Sequence, residues 1–529
     1  SLPPPRGAAA PPRCQRPFPA MSLLLSFATF SLLGPARLVP SSARTPPPRG
    51  CEAAQTAPGY APAADNEADV WERFPRSWVP IASEFELDPE RPTPALFLGR
   101  NYVVWQDNDG EWRVMPDACP HRLAPLSEGR IDRTANRIEC AYHGWAFDAQ
   151  GKCKMIPQME GTSLRNALAS PRSCIDSLPV AVHKSIIFAW PWGGVPTLGT
   201  GEGTPEAMLA GVADSASTYT RDLPYGWDSL VENIIDPGHV PWAHHGLQGK
   251  REDALPINMT MLSGADDQSG FSFEFQDRTM GKRRSGMGQF RAPYVVSYDA
   301  EFETLPGKPP SRPFKLTVVC IPTQPGWSRA IIFGFTGGDK KPKRRVAPLP
   351  PPATAKVEAE QQKRKTLISR VFGLFPVWFI HTLSSRFLDS DLAFLHYQEK
   401  ELGRRQPKAV AQAYFMPAAA DQPIDTLRQW LSKHAPVLGP LPSRIRDRSV
   451  LLDRWTQHSS HCYHCNKAAS NDLPLLRKRT VGVLAISLLA GVRLWPARLV
   501  SAACVLAIYS IGKAEQLLRF QDYRHYENH

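Results

Sequence analysis

Two short loops, Cys119-Pro-His121 and Cys140-Ala-Tyr-His143, constrain this chain more than any other feature. Each brings one thiolate and one imidazole, so together they can hold two iron atoms, one through two Cys and the other through two His. That is the ligand set of a Rieske [2Fe-2S] cluster, in which the His pair raises the potential above that of an all-Cys ferredoxin. Such a chain moves single electrons. Zinc is the competing occupant, because two Cys and two His also satisfy a tetrahedral ion. Zinc sites, however, usually pair like ligands, whereas each loop here carries one of each. Residues 102–107 and 111–115 read as two strands joined by a turn at Asn108, Asp109 and Gly110, so an antiparallel β domain is expected to present the loops.

At 529 residues the chain has room for about three to four domains. Its ten Cys are too sparse for a disulfide scaffold and suit a reducing compartment. The net charge of +12 comes from two places: residues 1–51 hold six Arg and no acid, and residues 339–365 hold nine Lys or Arg against three acids. The remainder is neutral overall, which argues against nucleic-acid binding. The 339–365 stretch reads as a solvated basic insertion, with a surface for anionic lipid or an acidic donor as the minority reading.

The segment 1–70 reads as targeting sequence and linker. An apolar run from Ser22 to Gly34 is followed by Arg-, Ser- and Pro-rich sequence with no acid before Glu52. A signal-like segment followed by a transit-like one points to bipartite import into a plastid. A plain secretory signal is the alternative, against which the free-thiol pattern argues.

Segments 71–195 and 205–440 then divide the body. The first carries the two loops, and the second carries alternating strands at 271–275, 314–321 and 330–335 and helical stretches at 229–235 and 366–400, with Pro376 interrupting the latter. Substrate contacts are expected on the strands of 250–340. Two apolar runs, 480–492 and 499–511, are separated by Arg493, Trp495, Pro496 and Arg498. Each is shorter than the roughly 20 residues that cross a bilayer. The 480–512 segment is therefore expected to anchor to a membrane as two short helices, with an interfacial pair, one kinked span or a core helix pair as alternatives.

A second metal centre is suggested by LVENIIDPGHVPWAH at 230–244. His239 and His244, five residues apart, would lie roughly 140° apart on an ideal helix, so Gly238 and Pro241 must break the helix for them to converge. Two His and one distant carboxylate form the facial triad of non-haem Fe(II) oxygenases.

The order CxH, CxxH, NxxDxxHxxxxH resembles the Rieske non-haem iron oxygenases across most of residues 76–440. CPHRLAPLSEG at 119–129, YHGW at 142–145 and the 230–244 stretch resemble the plant and algal chloroplast branch, which includes pheophorbide a oxygenase and translocon-associated Rieske proteins. The resemblance implies an α+β architecture: an all-β Rieske domain, a helix-grip mononuclear iron domain, and a C-terminal membrane anchor. It implies Cys119, His121, Cys140 and His143 on the cluster, and His239, His244 and Asp391 on a mononuclear Fe(II). Asp391 is chosen over Asp389 because Gln398 follows it seven residues on; i and i+2 on a helix point to different sides.

It also implies that Asn233 and Asp236 serve catalysis. Asp236 would hydrogen-bond His239 and reach His143 of a neighbouring subunit, in a head-to-tail homotrimer. Membrane-complex Rieske proteins add a Cys to each loop, whereas this chain has Leu123, Ala124 and Tyr142 there, which fits the oxygenase branch. The implied partners are ferredoxin, O2 and a tetrapyrrole, with pheophorbide a first. A hydroxylase of phyllobilins or other chlorophyll catabolites, a protochlorophyllide-related activity, or a non-enzymatic redox sensor of the import translocon are the other readings. The implied location is a plastid membrane, inner envelope or thylakoid. The tract HSSHCYHC at 458–465, within a CxxC region at 441–475, supplies Cys462 and Cys465 as a redox-regulated thiol pair open to thioredoxin, with zinc as the alternative.

Overall fold

The computed structural model describes residues 71–525 except 72, 195, 197–202, 214–216, 305, 308–310, 312, 334–374, 406–409, 411–412, 436–445 and 492–494. The N-terminal targeting segment and the 339–365 basic insertion lie outside the described residues, as does most of the stretch from 195 to 202.

Among the described residues, ten short strands build the N-terminal part. They are β1 (Val79–Ser83), β2 (Thr93–Phe97), β3 (Arg100–Gln106), β4 (Trp112–Pro116), β5 (Arg130–Asp132), β6 (Arg137–Glu139), β7 (Ala146–Phe147), β8 (Cys153–Met155), β9 (Val180–His183) and β10 (Ile186–Ala189). They form antiparallel sheets ordered β1-β10-β9, β2-β3-β4 and β5-β6-β7-β8. The β3–β4 turn closes as its sequence dictates: Asp107 Oδ1 accepts from the backbone N–H of Asp109 and Glu111 at 3.1 and 2.9 Å, and Gly110 takes φ +80°. The β4–β5 and β6–β7 connections carry the two Cys/His loops.

Seven antiparallel strands follow: β11 (Thr218–Leu223), β12 (Asn258–Met261), β13 (Gly270–Thr279), β14 (Lys282–Arg291), β15 (Val295–Phe302), β16 (Phe314–Gln324) and β17 (Trp327–Phe333), in the order β11-β17-β16-β15-β14-β13-β12. Phe271, Phe273 and Phe275 alternate on one buried face of β13. Opposite Phe273 stands Gly288, where a Cβ would come within 2.3 Å of the Phe273 ring, so only glycine fits.

Two helices cover the sheet and carry the chemistry: α1 (Trp227–Ile235) and, after the short α2 (Val240–Ala243), the long α3 (Val377–Arg405). α1 buries Trp227, Leu230, Val231 and Ile235, and Tyr298 of β15 donates to the Ile235 carbonyl at 2.7 Å. Pro376 stands just ahead of α3, a place where a proline has no intrahelical N–H to lose, and its carbonyl accepts from Phe379 N–H at 3.0 Å. The sequence expectation of helix from 366 lies outside the described residues as far as 374.

Beyond α4 (Gln422–His434) and α5 (Tyr463–Lys467), the chain ends in a hairpin of α6 (Leu473–Gly491) and α7 (Trp495–Leu517). Both helices are longer than the apolar runs that the sequence marks. Ser487 and Ser501 pair their hydroxyls at 2.8 Å between them, and Arg477 meets Glu515 at 3.4 Å.

Candidate active site

At Asp236 the helix α1 stops because Pro237 follows, and a residue before proline is pushed out of the α region. Asp236 accordingly takes φ −85°, ψ 106°. Gly238 N–H bonds back to Asp236 Oδ1 at 2.6 Å, and Pro241 opens α2 at its first turn, so the one-turn helix between His239 and His244 brings both rings to one side. The Nε2 atoms of His239 and His244 lie 3.3 Å apart. Asp391 enters from α3 with Oδ2 at 3.2 Å from His244 Nε2 and Oδ1 at 3.9 Å from His239 Nε2. Three donors about 2.1 Å from a common ion and mutually at right angles would lie about 3.0 Å apart, so this trio fits a single metal with one face left open.

The surroundings fix the donors. His244 Nδ1 lies 2.7 Å from Ser390 Oγ, and that hydroxyl donates to the Phe387 carbonyl at 2.5 Å. The hydroxyl hydrogen is thereby committed, so His244 donates from Nδ1 and presents a bare Nε2. Phe387 stacks on the same imidazole at 4.0 Å. Asp236 Oδ2 stands 3.4 Å from His239 Nδ1. Burial works against a charged His239, but Asp391 and then Asp236 outweigh it and draw its imidazole up to about 9. Burial likewise opposes ionisation of Asp391, and the His244 and His239 imidazoles override it, holding the carboxyl below its usual range. A site that keeps its carboxylate ionised and attracts a proton to its His239 imidazole is one that a divalent cation can occupy in place of the proton.

Asp389, the other candidate, is committed elsewhere. It is buried between Arg221 at 2.7 Å and Arg454 at 2.5 Å. Asn233 lies on α1, buried, and lines the same cavity as Asp236, His239 and Asp391. This cavity of about 430 Å³ also takes Phe394, Leu395 and Gln398 from α3 and Tyr414, Phe415 and Met416 from the segment after it. Among the described residues its walls therefore come from 232–243 and 391–424, not from the strands of 250–340 on which substrate contacts were expected. The strands bear the helices, and the helices bear the pocket. Ser390, Tyr414 and Phe415 carry no motif; Ser390 is legible only as the neighbour of a candidate ligand.

In the N-terminal part, Cys119 and Cys140 are buried, each at the start of a tight loop whose backbone closes on itself. Cys119 N–H donates to the Ala124 carbonyl at 2.8 Å and Cys140 N–H to that of Trp145 at 2.9 Å. Leu123 at φ 59° and Gly144 at φ 73° turn the two loops. The His121 and His143 rings lie 4.5 Å apart, and Trp145 stacks on His121. Burial, and then the nearness of Cys140, push the Cys119 thiol up to about 12, so thiolates here need a cationic partner, which ferric iron supplies. Two Cys at the base and two His at the rim fit a two-iron cluster with its imidazoles toward solvent.

Two metal centres of these kinds, an electron-carrying cluster and a three-donor site with open positions, define a Rieske non-haem iron oxygenase. Residues 77–175 match the Rieske [2Fe-2S] domain model and residues 290–409 the pheophorbide a oxygenase model. The chain is 32% identical to "Pheophorbide a oxygenase, chloroplastic" of Oryza sativa subsp. japonica over 97% of each chain. It is 30% identical to "Flavonoid 8-hydroxylase 2, chloroplastic" of Ocimum basilicum over 80% of this chain and 78% of the relative. It is also 30% identical to "Protochlorophyllide-dependent translocon component 52, chloroplastic" of Arabidopsis thaliana over 74% and 73%. The chain belongs to the pheophorbide a oxygenase family. It is an oxygenase with a [2Fe-2S] cluster and a non-haem iron, and its relatives are named as chloroplast proteins, which places it in the plastid.

Proposed function

We propose that this enzyme oxygenates a tetrapyrrole of the pheophorbide a type, with reduced ferredoxin as electron donor. In this reading Cys119, His121, Cys140 and His143 hold the cluster in the 71–195 domain. His239, His244 and Asp391 hold Fe(II) in the 205–440 domain, of helix-grip type. The bound iron supplies the open coordination positions at which O2 is activated beside substrate. The residues of the chain do the rest: Ser390 and Phe387 orient His244, Asp236 orients His239, and Asn233 lines the floor next to them.

The observation that carries the reading is the convergence of His239, His244 and Asp391 at 3.2–3.9 Å, with His239 and Asp391 lining a 430 Å³ cavity. Such a volume lies in the range of small-molecule pockets, about 300–1,000 Å³. Phe394, Leu395, Met416 and Ile424 give it apolar wall, and Phe415, 91% exposed, stands among its lining residues as a surface for a flat ring. The identity to rice pheophorbide a oxygenase over nearly the whole chain supports the tetrapyrrole.

Electrons would enter the triad from a neighbouring subunit, through Asp236 from the neighbour's cluster His143, in a head-to-tail trimer. Leu123 and Tyr142 beside the cluster, and Trp242 beside His239, are large apolar side chains left exposed in the single chain, as an intersubunit contact requires. The exposed hairpin of α6 and α7 supports a membrane anchor: Trp495–Leu517 is long and apolar enough to cross a bilayer, with mean hydropathy 1.4. An amphipathic tetrapyrrole would reach the pocket from that membrane.

The test is anaerobic loading of both centres, followed by O2 uptake and product analysis with pheophorbide a, chlorophyllide, protochlorophyllide, phyllobilins and flavonoids under a ferredoxin-reducing system. Uptake coupled to macrocycle opening of pheophorbide a is expected. Coupled turnover of a flavonoid or a phyllobilin instead would overturn the substrate. No uptake with any of them, both centres being loaded, would favour the redox-sensor reading.

A further inference from the structure

Among the described residues, one further group of side chains outside the oxygenase machinery brings its donor atoms together. His381, near the start of α3, His458, in the turn Trp455–Ser459, and Cys462 and Cys465 at the start of α5 are all buried, with one donor atom from each within 4.8 Å of the others. His381 Nδ1 lies 3.1 Å from His458 Nε2 and 3.5 Å from each sulfur, and His458 Nε2 lies 3.3 Å from Cys465 Sγ.

We propose that these four residues form a structural Zn²⁺ site. Nitrogens about 2.05 Å and sulfurs about 2.3 Å from one tetrahedral ion lie about 3.3 Å apart for N and N and about 3.6 Å for N and S, which are close to the spacings found. Hydrogen bonds do not explain these contacts as well. His458 Nδ1 lies 2.6 Å from the Thr220 carbonyl, which can only accept, so Nδ1 carries the proton and Nε2 is a bare lone pair aimed at the cluster. The imidazole of His381 lies beside the backbone of Thr218 on the same strand, β11. A ligand His that donates its other N–H to a backbone carbonyl is the usual outer support of a metal site.

Charge closes the argument. Two thiolates and two neutral imidazoles around Zn²⁺ are neutral as a unit, which lets four ionisable side chains stay buried together. On binding, each cysteine that is still a thiol gives up its proton to solvent, and no electron moves. A thiol pair working by exchange with an external dithiol needs a reachable sulfur, whereas Cys462 and Cys465 are 2% and 0% exposed.

The ion would pin four parts of the molecule at one point. These are the helix that also carries Asp391, about 15 Å further along its axis; strand β11, through Thr218 and Thr220; the turn bearing His458; and the CxxC segment leading into the α6–α7 hairpin. The same segment binds the loop between β1 and β2, where Tyr463 N–H donates to the Glu86 carbonyl at 2.7 Å. The sequence tract shows only part of the site. Of the three His that crowd 458–465, His458 enters the group and His461 and His464 do not, while His381 comes from the start of α3.

Metal analysis of the full-length holoprotein tests this. Zinc is expected at one equivalent per chain beside three of iron, with zinc-edge X-ray absorption showing two sulfur and two nitrogen neighbours. Cys465→Ser should lose the zinc while the cluster's visible spectrum persists, and His461→Ala should keep it. Should Cys465→Ser fail to fold, the absorption spectrum of the unaltered protein decides alone. Zinc well below one equivalent with both iron centres loaded, a Cys462–Cys465 disulfide in the isolated protein, or zinc held only by oxygen and nitrogen would each overturn the proposal.

Discussion

Asp389 and Asp391, two residues apart on α3, point to opposite sides of the helix and do different work. Asp389 is locked between Arg221 and Arg454, and Asp391 faces His244 at 3.2 Å. Substituting them should separate iron binding from folding. Asp391→Ala should abolish mononuclear iron and O2 uptake while leaving the cluster's absorption and redox signals intact. Asp389→Ala strands two buried guanidinium groups, and removing one partner of such a network costs about 3–5 kcal/mol, so it should lower the unfolding midpoint steeply. Iron content and thermal unfolding, measured on both, check the assignment; loss of cluster and iron together in Asp391→Ala would refute it.

Ser390 lies between these two and accepts from His244. Ser390→Ala removes that acceptor without touching the ring, so His244 loses both its tautomer and its orientation. Losses of about 10–100-fold in metal affinity follow removal of such outer partners. Iron titration of the apo-protein should show a drop of that order with the cluster unaffected, and Ser390→Thr, which keeps the hydroxyl, should recover most of it. Unchanged affinity in Ser390→Ala would remove the serine from the site.

How far this was legible follows from which contacts are local. The cluster loops, the end of α1 at Asp236-Pro237 and the pairing of β3 with β4 are set by neighbours in sequence, and the residue pattern displays them. Asp391 could be named only through the resemblance. Nothing near it in the chain shows that Asp389 is taken by two arginines, one from β11 and one from just ahead of the turn that bears His458. The pocket walls are hidden from the sequence for a similar reason. Phe394 and Phe415 look like ordinary helix and loop residues until α3 and the following segment are folded over α1. His381 was invisible for the same cause: it is an isolated His in an apolar helix, and its partners lie in a segment that follows α3 and α4 in the chain.

Glu399, two turns beyond Asp391, holds α3 to the start of α1 by accepting from Gly226 N–H. Burial, and then the neighbouring Asp228, push its carboxyl up to about 8. The folded state therefore binds a proton that the unfolded chain releases near the ordinary carboxyl value of 4.5. The associated stability is full below that value, and it declines as pH rises through about 8. The slope approaches about 1.4 kcal/mol per pH unit within this window. Glu399→Gln should be indifferent to pH over the same range, so denaturant midpoints of the two proteins from pH 5 to pH 8 should converge at low pH and separate at high pH. Parallel curves would show that Glu399 is ionised in the fold.

The α6–α7 hairpin turns apolar side chains outward where a soluble helix pair would hide them. Leu489 is 81% exposed, Leu506 66% and Leu499 60%, while Ser487, Ser501 and Cys504 face inward. This inversion is the pattern of helices that pack on each other through small residues and offer their large ones to lipid. Charges placed on the outer face should therefore cost membrane residence rather than folding. A Leu489→Lys, Leu506→Lys double variant should move from the membrane pellet to the soluble fraction after alkaline carbonate extraction. Each lysine opposes insertion by about 2.5–3.5 kcal/mol near the bilayer centre. Iron content and cluster spectrum should stay as in the parent, since both centres lie outside the hairpin. If the variant stays in the pellet with its iron intact, the hairpin does not anchor the protein. Loss of iron together with solubilisation would mean that the hairpin's outer face supports the fold itself.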